Sequence, residues 1–155
     1  MRIAISCAIG ALLLTTAAAP VAAALDKQSW SYIKAGDERF LVYGVPESDI
    51  ITLSFICTPK TKTVEVVTTV LPKVKAGREG KIKLSNGSTS LEYAGWTGGN
   101  NDMGYHLAAK TPVNAKMFDL LEKGTAVRID ALGKSDTVTL SGIKKPLAQM
   151  RQACR

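Results

Sequence analysis

The chain has little of what most enzymes and metal sites are built from. It contains one histidine, His106, and three cysteines, none of them in a Cys-x-x-Cys pair. No Gly-x-Gly-x-x-Gly or Walker spacing could cradle a phosphate, and no Gly-x-Ser-x-Gly turn could expose a nucleophilic serine. His106 and nearby Met103 are too few ligands for a copper site. These absences predict a protein that is not an enzyme and that holds no metal or cofactor.

Long apolar runs are missing after residues 1–24, which are predicted to form a secretory signal peptide. Arg2 supplies the positive start, and Ile3 to Leu14 is an apolar run of signal-peptide length, too short to span a bilayer. Ala22-Ala23-Ala24 matches an Ala-x-Ala cleavage motif, so cleavage before Leu25 is expected. The mature protein is therefore predicted to be periplasmic or secreted, with no transmembrane anchor.

The region after the leader, residues 25–155, is predicted to form a single basic domain. The chain has 20 lysines and arginines against 13 acidic residues, a formal net charge of +7. Among the basic residues, only Arg2 leaves with the leader. A basic exported protein is attracted to anionic envelope components, whereas export separates it from nucleic acid. The sequence does not predict an oligomeric state.

The excess of positive charge is concentrated between Lys60 and Lys83. Seven basic residues stand there against Glu65 and Glu79. One interpretation is a basic face that binds an anionic envelope polymer or an acidic protein. The other is a set of solvated lysines that discourage sheet edges from pairing. The candidate contacts of the basic face are Lys73, Lys75 and Arg78.

Two cysteines remain once Cys7 has been removed with the leader. In an oxidising compartment, Cys57 and Cys154 are expected to form a disulfide. Cys57 ends a strand whose apolar residues alternate, and Cys154 ends the apolar stripe of a helical segment, so both sulfurs should point toward a core. The stripe consists of Ile143, Leu147, Met150 and Cys154.

Alternating apolar residues bounded by glycine, proline and asparagine predict a mainly antiparallel β fold. About eight strands and two late helices are typical of a β-sandwich or a partly open barrel with helical additions. The helices are expected from the N-cap Asn114 to Lys123 and from about Lys145 to Ala153. The Asn86-Gly87 pair predicts a two-residue hairpin loop that sets Leu84 opposite Thr89.

The most unusual stretch runs from Gly95 to Gly104 and predicts a long loop between two strands. It combines four glycines with two asparagines, an aspartate and a tryptophan. One interpretation makes Trp96 an aromatic platform for a glycan or a partner protein. Asn100, Asn101 and Asp102 would then add polar contacts. The other interpretation, which we favour from the sequence, buries Trp96 as a cap on the core.

The C-terminal segment has a recognisable order of residues. Leu140-Ser141-Gly142-Ile143 leads into a helix that ends Arg151-Gln152-Ala153-Cys154, and an earlier strand ends Phe55-Ile56-Cys57. This order resembles periplasmic β-sandwich proteins of the VasI type, which accompany type VI secretion. It is more distantly similar to the invasion-associated locus B family. The resemblance implies an envelope β-sandwich without enzymatic activity, and it transfers no catalytic residue.

These patterns predict a non-enzymatic periplasmic binding or accessory protein of the bacterial envelope. It would act through the glycine-rich loop or the basic face, on an envelope protein or an anionic envelope polymer. An alternative is an inhibitor of an envelope hydrolase such as lysozyme, since such inhibitors are also small, exported, disulfide-bonded and rich in β-strands. The loop from Trp96 to Asp102 would then enter the hydrolase.

Overall fold

A computed structural model describes residues 27–100 and 104–154. The predicted leader and the candidate residues Asn101 and Asp102 lie outside this part of the chain. No helix in the described part is long and apolar enough to cross a bilayer. The strands are β1 (Ser29–Ala35), β2 (Glu38–Gly44), β3 (Ile51–Thr58), β4 (Thr63–Thr68), β5 (Glu79–Ser85), β6 (Ser90–Asn100), β7 (Gly104–Pro112), β8 (Ala126–Ala131) and β9 (Lys134–Thr139), and the helices are α1 (Ala115–Glu122) and α2 (Lys144–Ala153).

All nine strands belong to one antiparallel sheet, in the order β1-β2-β3-β4-β7-β6-β5-β8-β9. The predicted mainly β fold with two late helices is confirmed. A flat sheet of this size would hold β1 and β9 roughly 38 Å apart. Yet the indole N–H of Trp30 on β1 donates to the carbonyl of Thr139 on β9, at 2.6 Å. The sheet therefore curls toward a partly open barrel.

The inner face of the curled sheet holds the core. Phe55 on β3 and Leu107 on β7 are fully buried there, and α2 packs against β1 and β2. The predicted disulfide is confirmed. It joins Cys57 on β3 to Cys154 after α2, with the two Cα atoms 6.3 Å apart and a sequence separation of 97 residues. Closing so long a loop stabilises the fold by up to roughly 4–5 kcal/mol, through the entropy of the unfolded chain.

Both helices form where the sequence predicts them. The side-chain oxygen of Asn114 accepts a hydrogen bond from the Met117 N–H at 3.0 Å, which caps α1. Gly124 follows α1 with a φ of +93°, a conformation that favours glycine. Pro146 lies in the first turn of α2, where a missing N–H costs no helical hydrogen bond. The four residues of the predicted α2 stripe are all buried: Ile143, Leu147, Met150 and Cys154.

The hairpin between β5 and β6 has a different register from the predicted one. Leu84 lies opposite Leu91 rather than Thr89, and the loop spans Asn86–Thr89. The prediction is wrong because the Asn86 side chain has a second task. Its amide nitrogen donates to two carbonyls at the end of α1, at 2.7 and 2.9 Å, while its oxygen closes the turn. The shift is two residues, so the predicted inward face of β5 is unchanged.

Candidate functional site

Most of the predicted glycine-rich loop is strand. Residues 95–100 continue β6 and Gly104 opens β7, which leaves 101–103 between them, outside the described residues. The loop prediction is wrong because two glycines serve close packing. A side chain at Gly95 would overlap the backbone of Ala108, and one at Gly98 would overlap the ring of His106. The backbone of Asn100 pairs with Gly104 in the hairpin.

Trp96 is 60% exposed, so its interpretation as a cap on the core is wrong. Alternation along β6 explains this exposure, because buried Thr97 faces inward and its neighbour must face outward. On the outer face, Trp96 lies between Glu79 of β5 and Ala108 of β7. Gly98, two residues along the strand, has no side chain. Because Ala108 and Gly98 are small, the indole projects from the sheet.

Trp96 ends a row of side chains that crosses six strands of the outer face. A second row of outward-facing side chains runs beside the first, two residues away along each strand. It contains larger apolar side chains on the first strands and then reaches Glu65 and Lys110. Ile33 is 49% exposed, and Ile50, just before β3, is 42% exposed. We name this surface the apolar half. Its apolar residues are Ile33, Phe40, Val42, Ile51, Ile56, Val67, Ala108 and Trp96, and Ser31 and Ser54 lie among them.

A shallow trough runs along the apolar half. It consists of two open cavities of about 260 and 340 Å³, and Phe40, Val42 and Ile51 line both of them. One wall is the loop between β2 and β3, which folds back tightly because Gly44 has no side chain to meet the Ile50 carbonyl. Among the described residues lining the trough, the charged ones are two carboxylates, Glu47 and Glu65, with no lysine or arginine.

The outer face of β5, β8 and β9, with the adjoining end of β6, is different, and we name it the charged half. Lys81 pairs with Glu92 at 2.8 Å, and the hydrogen bond to this carboxylate raises the pKa of Lys81. Arg128 pairs with Asp130 at 2.8 Å. Hydrogen bonds from Arg128 and then Ser135 lower the pKa of Asp130. The residues of the charged half are Lys81, Lys83, Glu92, Arg128, Asp130, Ser135 and Thr137.

The structure separates the basic residues between Lys60 and Lys83. Lys60 lies in the turn before β4 and pairs with Asp37 at 2.6 Å. Lys73, Lys75 and Arg78 lie in the loop after β4, which we name the basic loop, across roughly 17 Å of strand. All three are exposed, and the loop is fastened beside β6 by backbone hydrogen bonds. The candidate basic face is thus divided, and its central residues lie next to the strand of Trp96.

His106 lies on the outer face with its ring over Gly98. Within the described ranges, no three histidine, cysteine, aspartate or glutamate side chains come together as metal ligands would. Its position beside Ala108 and Val67 makes His106 part of the rim of the trough.

Sequence reasoning missed most of the apolar half, although a signal was present. Phe40 to Tyr43 in β2 and Leu53 to Cys57 in β3 are apolar at nearly every position, and Val66-Val67 continues this in β4. Such runs are typical of strands covered on both faces, whereas a strand with one face in water alternates. The continuous runs predict that a second surface of these strands has a partner.

No family model, curated protein or solved structure matches the chain. The resemblance of its C-terminal segment to envelope proteins stays a prediction. Function is therefore inferred from the surface described above.

Proposed function

We propose that this chain is a non-enzymatic, exported binding protein that recognises an envelope protein through its apolar half. The observation that carries the proposal is Trp96, which is 60% exposed at the end of a row that also contains Val42, Val67 and Ala108. Folded monomers rarely leave a large contiguous apolar patch exposed unless it contacts something. Tryptophan is also among the residue types most enriched at binding hot spots.

The charge of the trough favours a protein over an anionic polymer as the partner. Glu47 lines the trough, Glu65 lies opposite Lys110, and no lysine or arginine among the described residues lines the trough to attract phosphate or carboxylate groups. An apolar protein surface carries no negative charge that the carboxylates of the trough would repel.

The geometry favours a broad contact over the hydrolase-inhibitor alternative. An inhibitor of the kind considered would push a loop from Trp96 to Asp102 into a cleft. Trp96 instead stands within a sheet, with paired strands on both sides. A sheet face suits a wide, shallow partner surface, which is the mode that we propose.

Export is part of the proposal, and the buried disulfide supports it. A disulfide such as the one between Cys57 and Cys154 persists in the periplasm and outside the cell, whereas disulfides are rare in the bacterial cytosol. A leader ending at Ala24 would deliver the chain to that compartment.

Affinity capture from a solubilised envelope extract tests the proposal. The bait is the chain expressed with its own leader, purified after export and immobilised, and the captured proteins are identified by mass spectrometry. We expect a protein that wild type retains and Trp96→Ala loses, because removing a hot-spot side chain costs about 2 kcal/mol or more. Lys83→Ala, on the charged half, is the matched control and should capture normally. Identical captured proteins for wild type and Trp96→Ala would contradict the proposal.

A further inference from the structure

We infer that the trough of the apolar half binds an extended segment on the partner protein, in which apolar side chains stand next to a lysine or arginine. The inference rests on the proposed function, because it names the chemistry of the partner for the same surface. Three features of the described residues support it: the sign of the charge around the trough, the position and conformation of Glu47, and two hydroxyl groups in the trough.

The outer face of β1 to β4 has the opposite charge from the chain as a whole. The full chain has a formal net charge of +7. Alternation directs two charged side chains of these four strands to the outer face, and both are acidic: Glu38 and Glu65. The basic residues of the same strands, Lys34 and Arg39, alternate to the inner face, where Arg39 lies opposite buried Cys57. A partner with complementary charge is therefore basic where it enters the trough.

Glu47 is the carboxylate best placed to select that basic group. It lines the trough from the loop between β2 and β3, it is exposed, and it takes part in none of the ion pairs among the described residues. Glu65, in contrast, lies opposite Lys110 on β7, which offsets its charge. The backbone of Glu47 has a φ of +57°, a conformation that favours glycine, and such outliers concentrate at binding sites.

Two hydroxyl groups favour a polypeptide over a lipid chain as the occupant. Ser31 and Ser54 lie on either side of Val42, and each lines one of the two cavities. Ser54 is only 5% exposed, and its hydroxyl has no hydrogen-bond partner among the described residues. A hydrocarbon chain over Ser54 would displace water without replacing its hydrogen bond, which is costly. An extended peptide brings backbone carbonyl and N–H groups that can replace it.

The size of the trough fits a segment of a few residues. Ser31 on β1 and Val67 on β4 are three strand spacings apart, at most about 14 Å, and an extended chain rises about 3.3 Å per residue. Four or five residues therefore cross the trough, and a narrow segment can follow the curl of the sheet. Ala108 lines the far end of the trough and lies opposite Trp96, so the indole would contact the partner beside this segment.

Selection from a phage-displayed library of random heptapeptides tests the inference, with the chain expressed with its leader, purified after export and immobilised. We expect wild type to enrich peptides in which lysine or arginine adjoins apolar residues. Glu47→Lys should enrich acidic peptides instead, because like charges repel. Glu92→Gln, which removes a carboxylate from the charged half, is the control and should enrich the same peptides as wild type. No enrichment by wild type, or the same peptides for wild type and Glu47→Lys, would overturn the inference.

Titration with the most enriched peptide, followed by backbone NMR signals, tests the position of the site. Signals of Phe40 and Ser54 should shift, and those of Arg128 should not. Replacing the basic residue of the peptide by glutamate should weaken binding to wild type at least about 5-fold, and Glu47→Lys should reverse the preference. Decanoate is the probe for an acyl chain. If decanoate shifts the signals of the trough and the peptide does not, the occupant is a lipid and the inference is overturned.

The inference and the proposed function can fail separately. If peptide binding shows no preference for charge but Trp96→Ala loses a captured envelope protein, the inference fails and the proposed function stands. If Glu47 selects basic peptides at the trough and capture is independent of Trp96, the inference stands and recognition through Trp96 fails.

Discussion

The apolar half and the charged half of the outer face are built over the same kind of interior. Beneath the first, Phe55 of β3 is fully buried, and beneath the second, Ile129 of β8 is fully buried. Outside, the charged half ends in paired ions such as Arg128 and Asp130, whereas the apolar half ends in exposed Trp96. An antiparallel sheet needs only one covered face. The difference is what the proposed binding through the apolar half requires: one half suited to water and the other with apolar side chains left for a partner.

Truncation of the shared interior should give the largest effects, and it should give them in both halves. Phe55→Ala is expected to lower the free energy of unfolding by about 3–5 kcal/mol, and Ile129→Ala by about 2–5 kcal/mol, because each leaves a cavity in a packed core. Denaturant unfolding monitored by circular dichroism measures both. A loss below about 1 kcal/mol in either variant would show that the two halves do not share one core.

Loss of the disulfide should destabilise the apolar half more than the charged half. Cys57 lies on β3 beneath the apolar half, so Cys154→Ala should lower stability by roughly 2–5 kcal/mol, the usual cost of losing a native disulfide. Amide hydrogen exchange should accelerate more in β3 and α2 than in β8 and β9. Two free thiols in non-reducing peptide maps of the wild-type protein would contradict the account, as would equal acceleration in all four elements.

Alkaline pH should lower the stability of the fold through β6, the strand where the apolar half and the charged half meet. Burial raises the pKa of Tyr93 on β6 to about 12, from an ordinary value of 10. Its hydroxyl has no hydrogen-bond partner within the described ranges. The unfolded chain therefore loses this proton first, and stability falls as pH rises from 10 to 12, by about 1–2 kcal/mol because solvent partly screens the phenolate. Unfolding curves of wild type and Tyr93→Phe at several pH values measure this loss. The difference in stability between the two proteins should be small and constant near neutral pH and should change between pH 10 and pH 12. Parallel pH dependences would contradict it.

Substitutions on the outer face should have the smallest effects on stability, and these should be alike in both halves. Trp96→Ala is expected to change the free energy of unfolding by no more than about 0.5–1 kcal/mol, and Lys81→Ala should leave the unfolding midpoint nearly unchanged, since both side chains are mostly exposed. Thermal unfolding in dilute solution measures this. A loss of several kcal/mol in Trp96→Ala alone would mean that the indole supports the fold.

The sequence predicts those parts of the fold in which one residue has one task. Asn114 caps α1, Gly124 ends it, and the two cysteines pair, all as expected. Predictions fail where tertiary contacts reassign a residue. Asn86 joins a turn to α1 and so shifts a register, and Gly98 makes room for a ring instead of forming a loop. The trough depends on the register of four strand pairs, which no local pattern specifies.

Hydroxyl-radical footprinting is the measurement that tests the central claim most directly, because it reports the accessibility of individual side chains. Oxidation is compared in dilute protein alone and in dilute protein mixed with envelope extract. The account predicts that Trp96, Ile33 and Phe40 are protected in the mixture, while Leu132, in the turn between β8 and β9, is oxidised equally in both samples. Equal oxidation of Trp96 in both samples would contradict the claim that the apolar half is a protein-binding surface.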